Sequence, residues 1–174
     1  QLQKTMKIAK ELSDLVFYCQ SVKFRSFDES KKAAYQHMSS FKEGLAMAIC
    51  SENKSNSRAG PELMNQYNCR QISRVYPKGT RTASTNYDPQ TLWNCGVQMA
   101  ALNFQTPDRP MWLNHGKFNQ NGNCGYLLKP RVMRLTKEAD LYNPYELSTY
   151  MSTDNPNKAQ PLELTLQILA GLHL

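Results

Sequence analysis

Three side chains in this sequence, Ser40, Arg74 and Tyr76, are of types suited to binding a phosphorylated small molecule if the fold brings them to one cleft. Arg74 and Tyr76 stand two apart in ISRVYP, a short run closed by Pro77. At the period of a strand they share one face, with Val75 on the other. A guanidinium presents paired N–H donors to phosphate oxygens, and an aromatic ring covers the apolar face of a cyclitol. Ser40 lies in HMSSF, just ahead of KEGLAMAIC. Its spacing to Glu43 matches a capping box, so Ser40 is expected at a helix start, where free backbone N–H groups also favour phosphate. Taken singly, each residue has a plainer role open to it: a helix cap, a surface ion pair, a packed ring.

Other chemistries find little support. His37, His115 and His173 are scattered without ligand spacing, and the five cysteines (Cys19, Cys50, Cys69, Cys95, Cys124) form no CxxC pair. An odd cysteine count without such pairs fits a reduced, intracellular chain. No Gly-rich phosphate loop occurs, and no cysteine has an evident base partner. The net charge of +7 favours an anionic partner. Lysines and arginines are dispersed rather than striped, so nucleic acid is not expected. No apolar run reaches the ~18 residues that span a bilayer. The first residues, QLQKTMKIAK, carry no apolar signal core and no initiator Met, and the expectation is a piece of a longer chain.

The elements that would position these side chains alternate. LSDLVFYCQSVKF (12–24) reads as a strand with flanks, KEGLAMAIC as a helix, ELMNQYNCRQI as a helix and ISRVYP as a strand. YDPQTLWNCGVQMA starts as a helix, with Asp88 as cap and Pro89 at the first helical position. ALNFQ reads as a strand, FNQNGNCG as turn chemistry and GYLLKP as a further strand. About four strand–helix alternations between 12 and 130 predict an α/β fold with a mainly parallel sheet, half of a TIM (β/α)8 barrel. Beyond Pro130 the chain is polar and aperiodic, a linker or wrapped segment. In LELTLQILAGLHL, Leu162, Leu164, Leu166 and Ile168 alternate as in a half-buried antiparallel strand.

Five ordered segments, ELSDLVFYC, MSSFKE, QISRVYPKGTR, NYDPQTLWNCGVQMAALNFQT and NGNCGYLLKP, resemble the Y half of the catalytic barrel of eukaryotic phosphoinositide-specific phospholipase C. LELTLQILAGLHL resembles the first strand of that family's C2 β-sandwich. YPKG, LNFQTPDRPM and YNPYELS look most like the gamma class. The implied organisation is the end of an X/Y linker at 1–10, the Y half at 11–130, a linker at 131–160 and the truncated start of a C2 domain at 161–174.

The resemblance implies hydrolysis of phosphatidylinositol 4,5-bisphosphate to diacylglycerol and inositol trisphosphate in intracellular signalling, at the cytoplasmic face of a membrane. Carried over by motif, Ser40 and Arg74 would contact a ring phosphate and Tyr76 would pack on the inositol ring. Met47 and Thr80 would fall on an apolar membrane rim, a role Thr80 fits poorly. The family's two histidines and its Ca²⁺ ligands belong to the X half, the implied partner of this chain. No catalytic residue or metal ligand is therefore assigned here. Ala83 stands where an acidic residue is common and Asn123 where Gly is usual, changes that would alter loops only. The alternative implied by the same motifs is a catalytically inactive relative that binds inositol phosphates and scaffolds partners.

Overall fold

A computed structural model of the chain describes residues 9–16, 18–51, 59–134, 142–145 and 165. The chain divides into two compact units, Gln1–Pro144 and Tyr145–Leu174. Of the second, only Tyr145 and Thr165 lie among the described residues. The strand expected from Leu162, Leu164, Leu166 and Ile168 falls outside them.

Among the described residues the first unit is built on a four-stranded parallel sheet whose strands follow chain order. These are β1 (Gln20–Ser21), β2 (His37–Lys42), β3 (Ile72–Tyr76) and β4 (Met99–Ala100). Helix α1 (Lys10–Asp14) precedes β1, and α2 (Phe27–Lys32) joins β1 to β2. Helices α3 (Glu43–Cys50) and α4 (Ala59–Arg70) join β2 to β3, α5 (Gln90–Asn94) joins β3 to β4, and α6 (Arg109–Phe118) follows β4. Parallel neighbours need such crossovers, and the crossovers cover one face of the sheet.

That face holds the core. Phe41 of β2 and Val75 of β3 pack with Ala46, Cys50, Met64 and Leu92 from the helices. Phe24, Phe27, Phe41 and Tyr67 form an aromatic cluster with ring centroids 4.8 to 6.3 Å apart. The buried polar groups between β3, α4 and α5 pair with one another, which offsets their desolvation. The Ser73 hydroxyl donates to Asn68 Oδ1 at 2.6 Å, and the Asn68 amide donates to the Cys95 carbonyl at 2.8 Å. Gln98 accepts from the Ser73 backbone N–H at 3.0 Å and donates to the Asn68 and Gln71 carbonyls. One side chain thereby bridges the stretch where β3 has no ladder partner on β4.

Two elements end where backbone sterics say they must. After α5, Gly96 adopts φ +75°. Its N–H bonds Trp93 O and that of Val97 bonds Leu92 O, the left-handed helix stop that glycine permits. Between α3 and α4, a Cβ on Gly60 would lie 2.7 Å from the Ile49 carbonyl oxygen, so the close approach of these helices requires glycine.

The structure departs from the sequence expectation at several places. ALNFQ (101–105) forms no strand; the strand lies just ahead of it, at Met99–Ala100. The 12–24 segment is helical at its start, and only Gln20–Ser21 pair with β2. Leu12, Leu15 and Val16 are exposed, so these apolar residues meet no strand to pair with. GYLLKP forms no strand; Asn121, Asn123 and Gly125 take positive φ, and the Lys129 ammonium is drawn to Asn68 O at 2.9 Å. The helix that follows β4 is α6, ahead of this segment, capped by Asp108, which accepts from Met111 N, with Pro110 in its first turn. Past Pro130 the chain does not leave the unit at once. Val132 O accepts from the Asn65 amide, and the Asn143 amide donates to Glu62 of α4 at 3.0 Å.

Candidate functional site

The other face of the sheet carries the polar residues. Along β2 and β3, Ser39, Phe41, Ser73 and Val75 are buried, whereas Ser40, Lys42 and Arg74 are exposed and Tyr76 is half-buried. Strand pleating therefore turns Ser40, Lys42, Arg74 and Tyr76 to the same side. The register aligns them in rows: Met38 with Ile72, Ser40 with Arg74, and Lys42 with Tyr76. Met99 of β4 continues the Ser40–Arg74 row. The face thus runs from apolar at the N-terminal ends of the strands to cationic and aromatic at their C-terminal ends. The Arg74 guanidinium lies over the Tyr76 ring, 5.6 Å from its centroid, a cation–π contact that orients the charge.

Ser40 does not cap a helix. It sits inside β2, and Lys42 is the residue at the start of α3, with no side-chain capping bond. The reason lies with Glu43, which is buried and committed elsewhere. Its carboxylate takes Arg81 Nη2 at 2.6 Å, Arg81 Nε at 2.8 Å and the Lys78 backbone N–H at 2.9 Å. The Arg81 hydrogen bond holds the Glu43 carboxyl below the usual carboxylate range, and Glu43 in turn raises Arg81. Arg81 also donates to Thr85 Oγ1 and Asn86 O. Asn86 is fixed by Asp108, through its N–H at 3.0 Å and its amide at 3.1 Å. Tyr87 donates to the Val75 and Ala101 carbonyls. The segment after β3 is thereby pinned against α3 and α6. It engages the Glu43 carboxylate, and among the described residues no acidic side chain pairs with Arg74 or Lys42.

With that geometry in view, the likeness to known proteins is specific. Residues 12–132 match the family model described as Phosphatidylinositol-specific phospholipase C, Y domain. The chain belongs to that family. It is 42% identical over 172 residues to the 1-phosphatidylinositol 4,5-bisphosphate phosphodiesterase gamma plc-3 of Caenorhabditis elegans, covering 99% of this chain and 11% of that protein. It is also 46% identical over 133 residues to the human Inactive phospholipase C-like protein 1, covering 76% of this chain and 12% of that one. The crystal structure of L. pealei PLC21 superposes with a TM-score of 0.71 at 41% identity, over 82% of this chain and 17% of that structure. The chain thus spans about a tenth of the length of these two curated relatives.

The two residues expected on a membrane rim lie on the segments that follow β2 and β3. Met47 is half-buried on α3 and packs against the core, and Thr80 is exposed in the turn after β3. The donor set of the face is a hydroxyl, a phenol and two cations, which does not fit Ca²⁺, a hard cation held by carboxylate and carbonyl oxygens. Among the described residues no group of three His, Cys, Asp or Glu side chains stands together. No helix among them is long and apolar enough to cross a membrane. Sequence reading passed over Lys42, although the alternation that joins Arg74 to Tyr76 equally joins Ser40 to Lys42.

Proposed function

We propose that this Y domain is the headgroup-binding half of a (β/α)8 barrel in a phosphoinositide phospholipase C that hydrolyses phosphatidylinositol 4,5-bisphosphate at the cytoplasmic surface of a membrane. The observation that carries the reading is the register of Ser40 with Arg74 on a sheet face where Arg74 has no carboxylate partner among the described residues. An exposed guanidinium without an anion is ready for one. In barrels of this type the site lies at the C-terminal ends of the strands, the end that Tyr76 occupies and toward which the Arg74 guanidinium lies over its ring. Arg74 would donate paired N–H groups to a ring phosphate, Ser40 would donate its hydroxyl, and the Tyr76 ring would close over the cyclitol. Fixing the ring in this way fixes the phosphodiester relative to the acid, base and Ca²⁺ of the X half. Met47 and Thr80, on segments that follow β2 and β3, would approach the lipid surface around that mouth.

Arg74→Ala in the full-length protein tests the reading. It is expected to weaken binding of soluble inositol 1,4,5-trisphosphate about 10- to 100-fold, since a charge-assisted contact is worth ~1.5–3 kcal/mol. Unchanged affinity by calorimetry would remove Arg74 from the site. A second reading, an inactive inositol-phosphate-binding scaffold, is favoured by the 46% identity to the inactive human relative. Turnover of phosphatidylinositol 4,5-bisphosphate vesicles with Ca²⁺ separates the two. Tight headgroup binding without product marks the scaffold.

A further inference from the structure

We infer that Lys42 is a second phosphate-binding cation of this site and a determinant of its preference for multiply phosphorylated cyclitols; this rests on the headgroup-binding reading of Ser40, Arg74 and Tyr76. Lys42 follows Ser40 by two residues on β2, so it shares its face, and it stands in register with Tyr76. Strand spacing and rise place its Cα about 8 Å from that of Arg74, on the diagonal. The Arg74 guanidinium, folded over the Tyr76 ring, is carried toward the level of Lys42. Two cations then flank one aromatic ring at the C-terminal edge of the sheet. Neither has a carboxylate among the described residues. The adjacent Glu43 is taken by Arg81 and the Lys78 N–H.

Two like charges on one face repel unless an anion lies between them. An anion with a single phosphate can satisfy one of them, whereas a ring bearing phosphates on neighbouring carbons can satisfy both. The two side chains differ in kind. Arg74 offers a planar fork of paired donors, and Lys42 offers a point charge on a flexible stem, able to follow a second phosphate at the mouth. The chemistry fits a phosphate monoester on a cyclitol. An anionic lipid surface could supply phosphate at the same place, and the experiment separates these sources.

In the full-length protein, the preference for inositol 1,4,5-trisphosphate over inositol 1-phosphate is measured by calorimetry for wild type, Lys42→Gln, Lys42→Arg, Arg74→Ala and the charge control Lys32→Gln on α2. Binding to phosphatidylserine vesicles is measured alongside. Lys42→Gln is expected to lower the preference about tenfold, the value of one charge-assisted contact. Lys42→Arg is expected to restore most of it, and Lys32→Gln to leave it unchanged. A preference unchanged in Lys42→Gln but lowered in Arg74→Ala overturns the role of Lys42 alone. A preference unchanged in both overturns the site itself. Vesicle binding lost in Lys42→Gln, with soluble ligands unaffected, overturns the cyclitol assignment in favour of the lipid surface.

Discussion

At the scale of single residues, the decisive pairing is between two neighbours in sequence with opposite fates. Lys42 is exposed on the strand face, and Glu43 is buried behind it, 5% exposed. Glu43 removes a negative charge from the neighbourhood of Lys42 by spending it on Arg81, and it ties down the turn that carries Thr80. Its stabilising effect depends on pH with a definite sign. The folded carboxyl titrates below its ordinary value, which in an unfolded chain lies near ~4.3. Its contribution is therefore full above that value and disappears as pH falls through the folded pKa. Glu43→Gln should lower stability at neutral pH by about 2–3 kcal/mol, the worth of hydrogen bonds to a charged group. The gap to wild type should close on acidification below about pH 4. Thermal midpoints of both proteins across that range test this, and a gap that stays constant or widens as pH falls would contradict it.

At the scale of elements, the same substitution should act in opposite directions at two glycines. Gly96 ends α5 at φ +75°, and an added Cβ would lie 3.1 Å from Asn65 Oδ1. Gly96→Ala should cost about 1–2 kcal/mol from the left-handed backbone alone, with the crowding added. Gly116 lies inside α6 with nothing within 4 Å of an added Cβ. Gly116→Ala should stabilise by about 0.5–1 kcal/mol, the helix propensity difference. Denaturation midpoints that move the same way for both would refute this account. Elements that make their own local case were legible in the sequence in the same manner. β3 has alternation and a closing proline, α4 has length, and the start of α5 has Asp88, which accepts from Gln90 N at 2.8 Å. Elements whose state is set by a distant partner were not legible. The 12–24 run and GYLLKP have strand-like residues but little or no strand to pair with. Ser40 has cap-like spacing to Glu43, yet Glu43 is claimed by Arg81, 38 residues away. Of the candidate site, the Arg74–Tyr76 face followed from the period of a strand. The matching of that face to Ser40 and Lys42 required the inter-strand register, which no local pattern encodes.

At the scale of the whole molecule, helices cover one face of the sheet, and among the described residues no element covers the other. Edge strands β1 and β4 each pair over two residues only. Tyr18, Phe104, Trp112, Tyr126 and Leu128 are all more than 65% exposed, large apolar side chains that a partner would remove from water. Closing a β/α barrel would place a packed layer against the open face and pair both edges. The chain expressed alone should therefore bind a hydrophobic dye and melt over a broad range, or aggregate. Co-expressed with the X half, it should give one cooperative transition and lose the dye signal. Because net charge is +7, added salt should narrow the difference only slightly: screening weakens self-repulsion but leaves apolar surface in water. A sharp, reversible melt of the isolated monomer without dye binding would show that the open face needs no partner, and the half-barrel reading would then lose its physical basis.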